Sequence, residues 1–97
     1  MKLVSVILCN FGHFNLHPEL LSQLQIPINS PILRTNDYLI NLYNFYGNKI
    51  AQNCTLRIEK IPEEILNTKK VTIIKDYLGK ETLDVYESNG DVVMKYW

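Results

Sequence analysis

Six consecutive residues, Asn10-Phe11-Gly12-His13-Phe14-Asn15, bring two aromatic rings, an imidazole, two amides and a glycine together directly after an apolar run. Aromatic faces stack on bases at roughly 1–3 kcal/mol per base, and amides read polar base edges, so this mixture suits a nucleobase better than a lipid or a sugar. Gly12 lets the backbone pass close to a ligand, although a glycine here also serves the turn itself. The plainer reading is that Phe11 and Phe14 plug the core. Arg34-Thr35 offers a guanidinium, a hydroxyl and the free N–H groups of a helix start, which either converge on one anion or form a salt bridge at the helix start. Tyr77 and Glu81 bracket a hairpin turn, and Trp97 closes the chain as the last residue of a strand, where a large aromatic anchors a core or an interface.

These residues do not amount to a catalytic constellation. Cys9 and His13 are the nearest nucleophile and base, but apolar neighbours hold such a thiol protonated and inert. His13 and His17 lie four apart, yet Pro18 starts the helix after both, so they do not share a helical face for a metal, and no third ligand is near. Neither the dinucleotide glycine pattern nor the P-loop pattern occurs. The expectation is no catalytic residue, no metal and no cofactor. The candidate ligand-binding residues are Asn10, Phe11, Gly12, His13, Phe14, Arg34, Thr35, Tyr77, Glu81 and Trp97.

The elements that must position them follow from pattern. Leu3 to Leu8 is almost wholly apolar and rich in β-branched residues, which predicts a central strand covered on both faces. Its carboxyl end would then open into the loop as a strand-to-helix turn, the place where α/β sheets leave a crevice. His17-Pro18-Glu19 reads as a helix start, with Leu20, Leu21 and Leu24 as its apolar stripe. A second helix runs from about Asn36, its cap, to about Tyr46, with Gly47 as its stop; Leu39, Leu42, Tyr43 and Tyr46 share one face. Cys54, Leu56 and Ile58 alternate with polar residues as a half-wet strand ended by Pro62. Strands over 71–77 and 82–87 form a hairpin through Leu78-Gly79-Lys80, and Ser88-Asn89-Gly90 turns the chain into a last strand over 91–97. The order β-α-α-β-β-β-β predicts an α+β fold with one mixed sheet of about five strands and two helices on one face.

At 97 residues the chain is one domain, 1–97, and its 46% hydrophobic content supports a small core. Such a core leaves little surplus stability, which favours a homo-oligomer. Ten basic and ten acidic residues cancel, and Lys69-Lys70 is the one adjacent basic pair, so duplex nucleic acid is not expected as a partner. The apolar start is too short for a membrane span or a signal sequence, and two cysteines do not make a disulfide framework, so a soluble intracellular protein is expected.

Several short segments resemble a widespread family of small phage-encoded proteins. Its members read CYGGFGLS after the first strand, then RTDP, LG, EIP, EYDGxE and a terminus like HRTW. This chain has NFGHFNLH at 10–17, RTND at 34–37, YG at 46–47, KIP at 60–62, DYLGKE at 76–81 and KYW at 95–97. It departs at Asn10 where the family has Cys, at His13 and Asn15 where it has Gly, and at Leu78 where it has Asp. Small phage proteins of this kind include the anti-CBASS sponges, which sequester cyclic-nucleotide signals of bacterial immunity. The resemblance implies a virus-derived protein of the host cytoplasm that binds a small nucleotide such as a cyclic dinucleotide without cleaving it. A protein-binding inhibitor of a host factor and a small nucleotide phosphodiesterase are the alternatives.

Overall fold

The computed structural model describes residues 2–86 and the backbone of 92–96. It is α+β, in the order β1 (Leu3–Gly12), α1 (Pro18–Leu24), α2 (Asp37–Tyr46), β2 (Cys54–Pro62), α3 (Glu63–Thr68), β3 (Lys70–Lys75), β4 (Glu81–Tyr86) and β5 (Val92–Tyr96). Single 3-10 turns over Pro31–Thr35 and Gly47–Ile50 lead into and out of α2. No described helix is long and apolar enough to cross a membrane.

The single five-stranded mixed sheet is corrected to two antiparallel sheets, β1-β2 and β3-β4-β5. Every described strand pair is antiparallel. The physical reason lies at the edge of β1 not used by β2, where side chains rather than a third strand meet the backbone. Cys9 N–H donates to Glu81 Oε1, and Ile7 C=O accepts from Arg34 Nη1.

The middle of β1, Val6 to Cys9, is apolar because both of its faces are covered. Ile7 and Cys9 face a cluster containing Leu16, Leu33, Leu39, Ile40 and Leu56, on which α1 and α2 lie. Val6 and Leu8 face the opposite way, into a cluster with Ile61, Leu83 and Val85 that α3 and the second sheet complete. The two anticipated helices thus share a face, and α3 covers the other. That third helix begins at Pro62-Glu63-Glu64, with Pro62 at its cap and two carboxylates in its first turn. The α2 signals act locally: Asn36 Oδ1 accepts from Leu39 N–H, and Gly47 ends the helix at a φ of +64°.

β1 also runs further than its apolar stretch, through Asn10, Phe11 and Gly12, because β2 offers ladder partners as far as Cys54. Cys9 pairs with Leu56 and Phe11 with Thr55, so Asn10 is the extra residue of a β-bulge. The expected strand-to-helix turn at residue 9 is therefore a bulged continuation of the strand. At its end Gly12 meets the β3–β4 turn backbone to backbone, with Gly12 N–H donating to Leu78 C=O at 3.1 Å. Asp76 shapes that turn by accepting from Leu78 N–H and Lys80 N–H.

Gly79, at a φ of +90°, leaves no room for a side chain: a Cβ there would lie 2.0 Å from Gly12 O. Gly79→Ala should therefore cost at least about 2 kcal/mol, combining left-handed strain with a backbone collision. Urea denaturation checks this, and a change under about 0.5 kcal/mol would show that the turn does not sit against Gly12.

Candidate functional site

Two residues far apart in sequence form the centre of the site. Arg34 stands at the end of the 3-10 turn before Asn36, and Glu81 opens β4. Their side chains make a two-pronged ion pair, Nη1 to Oε1 at 2.6 Å and Nη2 to Oε2 at 2.9 Å, with only 13% and 6% of the side chains exposed. Arg34 Cζ lies 3.6 Å from the centre of the Phe14 ring, so the guanidinium is bound at its edge by a carboxylate and on its face by an aromatic ring. Phe14 itself packs against the helix-side core. Of the two readings open for Arg34, the salt bridge is the arrangement found, made with a strand residue rather than within the helix start.

Arg57 was not singled out from the sequence, where alternation places it on the wet face of β2. It bonds Cys9 C=O at 3.2 Å, Asn10 Oδ1 at 2.8 Å and Glu59 Oε1 at 2.9 Å, and also donates to Glu81 C=O. It thereby fixes the bulge and the start of β4 to one another. The one local signal for it is Glu59, two residues on along the same strand face.

The remaining candidates divide between two places. Thr35 and Arg34 contribute to the wall of a cleft of about 430 Å³ beside the second sheet. Asn10, Phe11, His13 and Tyr77 lie at the end of the molecule where Gly12 receives the turn. Phe11 is 59% exposed and Tyr77 94%, so neither ring plugs the core. His13 Nδ1 lies 2.6 Å from Lys75 Nζ, and Lys80 is exposed on the same turn. Glu81 is turned inward to Arg34 and Cys9 N–H. Trp97 lies outside the described residues.

Cys9 and His13 do not meet. Cys9 Sγ is held by Phe11 C=O at 3.1 Å and Gly12 C=O at 3.4 Å, and burial pushes its pKa up. Cys54 Sγ donates to Asn15 C=O, and both thiols are free. Among the described residues no three His, Cys, Asp or Glu side chains converge as metal ligands do. The chain matches no family model, no curated protein and no solved structure.

Removing one partner of a buried ion pair leaves the other charge uncompensated, so Arg34→Met should destabilise the fold by about 3–5 kcal/mol. Adding Glu81→Gln removes the stranded charge while keeping an acceptor for Cys9 N–H, and should recover at least about 1 kcal/mol. Denaturant titration of wild type, single and double variants checks both values; additive losses would show the two side chains to be uncoupled. Because burial disfavours the thiolate, Cys9 should resist iodoacetamide at neutral pH in the native protein, whereas partly exposed Cys54 reacts first. Peptide mass spectrometry of a time course reads the order directly.

Proposed function

We propose that the chain is a non-catalytic binding protein that captures a small nucleotide, of the cyclic dinucleotide type, on the end formed by the bulge of β1 and the β3–β4 turn. The observation that carries this reading is the exposure of Phe11 and Tyr77 beside His13, Lys75 and Lys80. Flat faces take bases, and the neighbouring cations meet phosphate. Phe11 is held by the β1–β2 ladder and the turn by Gly12, so little ordering entropy is lost when a ligand arrives. Arg34 serves here as an internal strut, since Glu81 has neutralised it. Enclosure comes from a second copy of the chain laid over this end, because tight small-molecule sites bury most of their ligand. The resemblance to phage sponges supports the same assignment and implies a virus-derived factor that acts in the host cytoplasm.

A protein-binding inhibitor is the second reading, favoured by Tyr77 and Leu78, which stand 94% and 50% exposed at the turn.

A thermal-shift panel of cyclic di- and trinucleotides, cyclic mononucleotides and cyclic ADP-ribose isomers separates these readings. One nucleotide should stabilise the protein by about 2.7 kcal/mol at a hundred times its dissociation constant. Phe11→Ala and Lys75→Ala should each abolish that shift without lowering the melting temperature of the free protein. Heat denaturation should then release the ligand intact. Recovery of a cleaved nucleotide would assign a phosphodiesterase instead. No shift with any nucleotide, together with a stoichiometric host protein in pull-down, would assign the inhibitor.

A further inference from the structure

We infer that the cleft between the 3-10 turn over Pro31–Thr35 and the second sheet is a separate binding site, for an uncharged amphiphile with an apolar body and one carbonyl-type acceptor. Its volume of about 430 Å³ falls within the range of sites that bury small organic molecules. Aliphatic side chains supply most of the lining, among them Val6, Leu66, Val71, Ile73 and Leu83. Such a surface gains by excluding water from an apolar guest.

The polar part of the lining determines what that guest carries. Arg34 is the one charged residue among the described lining, and its charge is cancelled by the buried carboxylate of Glu81. An anion entering the cleft would lose its hydration while facing a pair with no net charge, so charged guests are rejected. Hydrogen-bond donors nevertheless remain. A guanidinium has five N–H groups, and those of Arg34 serve Ile7 C=O and the two Glu81 oxygens, leaving the Nε hydrogen and the second Nη2 hydrogen without a partner among the described residues. The Ser30, Thr35 and Thr72 hydroxyls and the Asn29 amide, each able to donate as well as accept, add to them. Donors without net charge, set in an aliphatic wall, match a neutral acceptor such as an ester, ketone or amide carbonyl.

This site is distinct from the aromatic end, and its test is independent of the nucleotide panel. Prodan, an uncharged naphthalene ketone whose emission moves to the blue in apolar surroundings, is the probe for the full-length protein. It should bind saturably, one per chain, with a blue shift. Methyl 2-naphthoate and 2-naphthoate differ in charge, and the ester should displace prodan at a concentration at least about tenfold lower than the carboxylate. Ile73→Trp and, independently, Val71→Phe fill the cleft from an edge strand, and each should weaken prodan binding at least about tenfold while the circular dichroism spectrum is retained. Thr35→Val tests the polar end and should weaken the ester more than naphthalene itself. The inference is overturned if prodan shows no saturable shift, if folded cleft-filled variants bind it like wild type, or if the carboxylate competes as well as the ester.

Discussion

One ion pair closes the open edge of the central strand. An antiparallel neighbour would offer β1 an acceptor for Cys9 N–H and a donor for Ile7 C=O; Glu81 and Arg34 supply these two groups from their side chains. The pair does more than satisfy backbone. It joins β4 to the turn that introduces α2, so the helical layer and the second sheet are both referenced to one point on β1. A charged closure also blunts an edge that would otherwise be free to pair with another chain.

The two faces of β1 then divide the molecule. Helices α1 and α2 pack on the Ile7 and Cys9 side, while α3 and the second sheet pack on the Val6 and Leu8 side. The ion pair sits where these layers meet, which is why a cleft borders it on the sheet side and the Phe14 ring covers its face. Arg57 performs the corresponding task one step along the chain, holding the bulge at Asn10 against β4. With both guanidinium groups committed to internal bonds, the exposed positive charge at the turn end is that of Lys75 and Lys80.

Much of the secondary structure was legible because its causes are local. Asn36 and Gly47 mark the ends of α2 by their own side-chain and backbone chemistry, and the alternation in β2 follows from the period of two. The α3 helix carries the same proline-then-glutamate start as α1, but over Glu63–Thr68 it is too short to display an apolar stripe. The continuation of β1 to Gly12 was hidden because Asn10 and Gly12, both poor strand formers, flank Phe11, and only the partner strand reveals the ladder. The candidate residues were gathered from one loop, one helix start, the hairpin turn and the last residue; of those described, the structure turns Arg34, Glu81 and Phe14 into an internal strut, leaves Phe11, His13 and Tyr77 at an exposed end, and sets Thr35 in a cleft wall.

By itself the sequence established an α+β chain with a strand buried on both faces, two helices on one of them, and a hairpin turning through Leu78-Gly79-Lys80. These follow from periodicity, capping and turn residues, all of which act over a few positions. Tertiary structure alone decided that Arg34 would meet Glu81, 47 residues away, and that Arg57 would reach Asn10 across the same distance. Residue type shows that a charge must be solvated or paired. Which of ten acids answers a given arginine depends on how two sheets and a helical layer stack around β1, and no short-range pattern encodes that packing.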